Sequence, residues 1–176
     1  MIVSDYQPAW PDEFHRIELV LRGALGSLCK EVHHVGSTAI PTLPAKPVLD
    51  IDVELASPDS LAEVSARLSG LGYFYQGDLG ISDRHAYGRS SETVPWSSPS
   101  RQWMNHHLYV CPASSRELAR HLWFRDQLRA DARLRDEYRA IKEQALALAE
   151  GDRSRYVVEK ERLGREFFRR VLGESK

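Results

Sequence analysis

Two aspartates two residues apart, Asp50 and Asp52, are the side chains with the clearest chemical potential in this chain of 176 residues. They lie in the segment Pro47–Leu55, where Leu49, Ile51, Val53 and Leu55 alternate with Asp50, Asp52 and Glu54. A period of two predicts a strand with its aliphatic groups on one face and its carboxylates on the other. Asp50 and Asp52 then project side by side, roughly 6.6 Å apart along the strand. Like charges so close repel unless a cation sits between them. A divalent metal, Mg²⁺ or Mn²⁺, is the natural candidate, because Mg²⁺ is usually held by one or two carboxylates plus the phosphates of a ligand. The competing reading is a charged strand face solvated by water.

Upstream, a short strand over Glu31–Val35 runs into Gly36, Ser37 and Thr38. A Gly-Ser turn leaving a strand offers backbone N–H groups and a hydroxyl to a phosphate. The loop that follows is stiffened by Pro41, Pro44 and Pro47 and carries Lys46 at the lip of the acidic strand. Lys46 either neutralises one of the aspartates or clamps a phosphate.

This order of a Gly-Ser turn before an Asp-x-Asp strand resembles the nucleotidyltransferase superfamily. The longer string HVGSTAIP…AKPVLDIDV, with DYQPAWP near the start and FRDQLR later, is similar to the GrpB family from about Val3 to about Arg170. The resemblance implies an α+β fold, with a nucleotidyltransferase-like mixed β-sheet, flanking helices and a C-terminal helical segment. It also implies a metal at Asp50 and Asp52, but no substrate. The family pattern leads us to expect a glycine near Thr42. Nucleotidyltransferases usually supply a third carboxylate from a strand beside the Asp-x-Asp strand. In the strand predicted over Met104–Cys111, none is present. Met104, His106, Leu108 and Val110 share one face there, and Asn105, His107, Tyr109 and Cys111 the other, so His107 is the available substitute as metal ligand or base. Imidazole suits Mn²⁺ or Zn²⁺ better than Mg²⁺.

The elements that must position these groups are legible in outline. Pro11, with Asp12 and Glu13 behind it, opens a helix whose Phe14, Ile17, Leu21, Ala24 and Leu28 recur at helical spacing. Ser57-Pro58 opens a second helix, stopped by Gly70-Leu71-Gly72. Strands are expected over Tyr73–Gln76 and Asp83–Ser90. Ser91–Arg101 reads as a long, mobile loop in which Trp96, with Trp103 just beyond it, is available to stack a ring. From Ser114 the chain reads as three helices, with a frayed tail after Leu172. Arg125 and Arg129 continue the Leu118/Leu122 stripe of the first, Lys142 borders Tyr138 on the second, and Lys160 lies between Tyr156 and Leu163 on the third. Cations on apolar stripes must be paired, must snorkel to solvent, or must serve a bound anion. Asp126, Glu137 and Glu159 are the internal partners at hand. A phosphate site predicts that Arg125, Arg129 and Lys160 converge with Ser37 and Lys46.

Composition sets the remaining bounds. One domain is expected, 1–176, with a sheet-bearing part over 1–113 and a helical part over 114–176. Residues 1–114 carry 8 Lys+Arg against 13 Asp+Glu, and residues 115–176 carry 16 against 12. That polarity suits a metal–phosphate ligand between the parts, and lacks the domain-wide basic excess of a dedicated nucleic-acid binder. Two cysteines at unrelated positions argue against a disulfide framework. No basic-then-apolar start and no apolar run of membrane-spanning length is present, so a cytoplasmic protein without membrane contact is expected. The leading expectation is a metal-dependent nucleotidyltransferase-like enzyme taking an NTP and a small acceptor. The alternative is a non-catalytic module that binds a nucleotide or phospho-metabolite.

Overall fold

The computed structural model describes residues 3–173. The alternating segment forms β2 (Leu49–Leu55), flanked by β1 (Cys29–Val35) and β5 (His106–Cys111), with β4 (His85–Arg89) and β3 (Tyr73–Tyr75) beyond. The sheet order is β1-β2-β5-β4-β3, with β2 and β5 parallel and the other neighbours antiparallel. A parallel pair needs a crossover. Here the helix α2 (Leu61–Gly70) and the β3–β4 hairpin supply it.

The register fixes the two faces. Asp50 pairs with Val35 and His107, and Asp52 with His33 and Tyr109, so these groups share one face. The opposite face, with Leu49, Ile51, Val53, Leu108 and Val110, packs on α2 and on α1 (Trp10–Leu25) in one core that includes Ile17, Leu21, Leu25, Val64 and Leu68. Burying this face drives the assembly, at roughly 1.5–3 kcal/mol for each fully buried aliphatic side chain.

Three helices complete the chain: α3 (Arg116–Ala130), α4 (Ala132–Ala149) and α5 (Arg153–Leu172). Each starts on the cap its sequence supplies. The side chains of Ser115, Asp131 and Asp152 accept from the backbone N–H of Leu118, Arg133 and Arg155. Their apolar stripes do not pack on the sheet. Leu128, Tyr138, Phe167 and Val171 bury against Ile40 and Leu43 of the β1–β2 loop. That loop therefore stands between sheet and helices, with its two ends joined to β1 and β2.

Two expectations are corrected. Ser91–Arg101 is anchored where it passes the core: Val94 is fully buried, and the backbone N–H of Trp96 donates to Leu71 O at 2.8 Å. Trp103 is buried, with its Nε1 donating to Pro95 O at 2.8 Å, so it presents no face for stacking, whereas Trp96 is exposed. Thr42, where a glycine was expected, has φ 70°, the left-handed conformation that a glycine adopts freely and a β-branched residue resists. Of the tail expected to fray, Gly173–Lys176, only Gly173, which caps α5, is among the described residues.

Candidate functional site

The β1–β2 loop leaves β1 at Gly36, whose φ of 70° again suits glycine. A Cβ at this position would stand 2.1 Å from Asp50 Oδ2. The Gly-Ser turn and the first aspartate are thus packed backbone against carboxylate. The Asp50 side chain, about one third exposed, accepts at Oδ1 from Nδ1 of His107 across the parallel pair at 2.9 Å.

Asp50 lies on the wall of a cleft of about 810 Å³ between the starts of β2 and β5, the β1–β2 loop and α4–α5. Ser37, Thr38, Lys46 and His107 line it with Asp50, and Lys160 enters from α5. Lys142, Arg153, Arg89 and Tyr156, which sequence reasoning did not place in a site, line it too. Five cations therefore face a single carboxylate. Among the described residues, no carboxylate forms an ion pair with Lys46, Lys142, Lys160 or Arg153. The ionisation of two of them, Lys46 and Lys142, is perturbed. Burial, then Arg153 and Lys160, holds Lys46 below the usual ammonium range. Burial, then Lys160 and Lys46, pushes Lys142 down to about 7. Arg89 gives one nitrogen to Asn105 Oδ1 at 2.5 Å and keeps Nη1 buried without a partner. Lys46 lies over the Tyr156 ring, 4.8 Å from its centre. Ser37 bonds the hydroxyl of buried Tyr138. Thr38 is tied to His34 Nε2 at 3.0 Å, and burial keeps His34 neutral, down at about 4.

Asp52 takes a different path from Asp50. Its carboxylate has no exposed surface and faces α3, where Oδ2 accepts from His121 Nδ1 at 2.7 Å. The other imidazole nitrogen donates to Glu117 Oε1 at 3.2 Å. Burial opposes the imidazolium, yet bonds to two carboxylates outweigh it and raise His121 to about 9. Asp52 Oδ1 remains buried without a hydrogen-bond partner. No sequence pattern links His121 to Asp52; the only local signal is the i,i+4 spacing from Glu117.

Arg125 and Arg129 do not join the cleft, contrary to the expected convergence with Lys160. Arg125 donates to Asp126 at 2.7 Å and to His34 O at 3.2 Å, and Arg129 Nε donates to Ala39 O at 2.9 Å. They clip α3 to the end of β1 and to the loop. Backbone carbonyls answer both arginines, and Arg125 also has the Asp126 carboxylate as an internal partner. The other two carboxylates considered, Glu137 and Glu159, pair with Arg170 and Arg162.

The comparisons agree with this architecture. A family model described as "GrpB protein" matches residues 1–172. A UPF0157 protein of Pseudomonas aeruginosa is 32% identical over 171 residues, covering 96% of this chain and 64% of its own. A Mycobacterium tuberculosis protein named dephospho-CoA kinase is 33% identical over 171 residues, covering 88% of this chain and 42% of its own. The chain spans only 38% to 65% of the first curated relatives it matches, so a name given to a whole relative need not describe the matching part. A crystal structure of GrpB from Enterococcus faecalis superposes with a TM-score of 0.76 at 27% identity, covering 98% of this chain and 96% of that one. Cid1 in complex with a UTP analogue superposes with a TM-score of 0.54 at 11% identity, over 84% of this chain and 43% of that one. This last likeness concerns the fold alone.

Proposed function

The chain belongs to the GrpB family, and on that premise we propose that its cleft binds a nucleotide or another phosphorylated small molecule, as the nucleotide site of a nucleotidyltransferase-like protein. The observation that carries this reading is the crowd of Lys46, Lys142, Arg153 and Lys160 around one carboxylate, with the ammonium groups of Lys46 and Lys142 pushed down by burial and by the neighbouring cations. A polyphosphate chain would relieve that repulsion and bring partners to each cation. Ser37 adds a hydroxyl, and Gly36 lets the loop close on Asp50. That Cid1 is described with a UTP analogue supports a nucleotide as the first ligand to try.

The finer reading is a metal-dependent transfer to a small acceptor. Asp50 faces the cleft and would hold a divalent ion together with ligand phosphates, whereas Asp52 is fully buried against His121 outside the cleft wall and contributes only an unpartnered Oδ1 behind it. Among the described residues, no group of three or more His, Cys, Asp and Glu forms a metal cage, and His107 bonds Asp50 instead of standing apart as a third ligand. When bound, the ion would supply charge neutralisation at the reacting phosphate. The chain's own part is separate. Lys46 and Lys160 hold and orient the phosphates, and His107 fixes the rotamer of Asp50. The missing third carboxylate favours the second reading, binding without transfer.

The test is a thermal-shift panel of nucleoside triphosphates, nucleosides and phosphorylated metabolites, with and without Mg²⁺ or Mn²⁺, followed by assay for pyrophosphate. Stabilisation by triphosphates but not nucleosides is the expected result. Pyrophosphate release would establish transfer, and no stabilisation by any phosphate compound would refute the site.

A further inference from the structure

One cleft cation differs from the others. Lys142 belongs to the buried stripe of α4 with Tyr138, Ala145 and Ala149, and only 7% of it is exposed. Its Nζ donates to the carbonyl of Pro44 and lies 5.5 Å from the centre of the Tyr138 ring. Lys46 and Lys160 line the same cleft, and among the described residues no carboxylate pairs with Lys142. A lysine that is desolvated and set beside other cations sheds its proton, and the free amine is a nucleophile. The Pro44 carbonyl can take an N–H from the neutral amine and leave its lone pair available.

We propose that Lys142 is a nucleophilic lysine that condenses with the carbonyl carbon of a phosphorylated aldehyde or ketone held in the cleft. The inference rests on the reading of the cleft as a phosphate site, since Lys46 and Lys160 would anchor the phosphate and place the carbonyl near Nζ. The amine lone pair forms the N–C bond, and the C=O π electrons move to oxygen. The two amine hydrogens leave with that oxygen as water, and a C=N bond remains. Nothing is oxidised or reduced. The depressed basicity of Lys142, about 7 against 10.5 for an ordinary lysine, makes the free amine on the order of a thousand times more abundant near neutral pH than at an exposed lysine.

The probe is pyridoxal 5′-phosphate, a phosphorylated aldehyde, with the full chain near neutral pH. Borohydride traps the imine, and peptide mass mapping locates it. Lys142 should carry at least about ten times more label than Lys30, Lys46, Lys160 or Lys176, as its larger share of free amine requires. Phosphate-free pyridoxal should label it far less, and inorganic pyrophosphate should protect it. Label spread evenly over the lysines, or equal labelling by pyridoxal, overturns the proposal. Calorimetry with pyrophosphate keeps the two ideas apart. If pyrophosphate binds and Lys142 is not trapped, the nucleophile assignment fails alone. If pyrophosphate does not bind and trapping shows no preference for the phosphorylated aldehyde, the phosphate site fails with it.

Discussion

Replacing His121 with glutamine keeps a donor for the buried carboxylate of Asp52 but removes the charge. In the folded chain His121 titrates near 9, against 6.5 for a free imidazole. Because its folded pKa is raised, its contribution is fully present below about pH 6.5 and is lost as the pH climbs through about 9. A shift of this size corresponds to roughly 3 kcal/mol, or roughly 2–3 after allowing for the 26% of the imidazole that meets solvent. Salt will do little to it, since Asp52 has no exposed surface. Urea unfolding of both proteins at about pH 6 and about pH 9.5 reads the effect, and groups common to both cancel in the difference. The parent should lead the His121→Gln variant by roughly 2–3 kcal/mol at the acid end, and the lead should shrink below about 1 kcal/mol at the alkaline end. A lead that is the same at both ends would mean that the imidazolium bridge between Asp52 and Glu117 does not exist.

Three further substitutions probe the loop that joins the sheet to the helices. Thr42→Gly removes a left-handed β-branched residue and should stabilise the protein by about 1 kcal/mol, seen as a higher midpoint in urea. Gly36→Ala would drive a methyl group into Asp50 Oδ2 and should lower stability by about 1–3 kcal/mol in the same assay, with loss of ligand binding by calorimetry. Arg129→Ala leaves the Ala39 carbonyl without its donor and should lower stability by about 1–3 kcal/mol while triphosphate affinity stays within about twofold of the parent.

Much of the fold was legible because its signals are local. The alternation around Asp50 and Asp52 marked β2 and its two faces, and the start of the helical part near Ser114 agrees with the Ser115 cap of α3. The parity of Met104–Cys111 put His107 on one face with Asn105 and Tyr109, and the parallel register of β2 and β5 sets it opposite Asp50. The site was legible only in part, because it depends on where α3, α4 and α5 dock. The sequence marks Lys142, Arg125 and Arg129 as cations on apolar stripes without saying what answers them. The apolar residues of α3, α4 and α5 bury against the loop residues Ile40 and Leu43, which turns α4 and α5 toward the cleft, while polar groups of α3 reach β1 and β2. Arg125 and Arg129 reach carbonyl oxygens instead. The pairing of Asp52 with His121 joins residues 69 positions apart and has no local trace.

Isothermal titration with tripolyphosphate, on the parent chain, on Lys46→Glu/Lys160→Glu and on Arg125→Ala, addresses the central claim most directly. Both lysines line the cleft, and Arg125 is engaged by Asp126 and the His34 carbonyl. The parent should bind tripolyphosphate, and Arg125→Ala should bind it comparably. The double charge reversal should weaken it by a hundredfold or more, since each charge-assisted contact contributes roughly 1.5–3 kcal/mol. A parent that does not bind tripolyphosphate, or a double variant that binds it as tightly as the parent, would contradict the account.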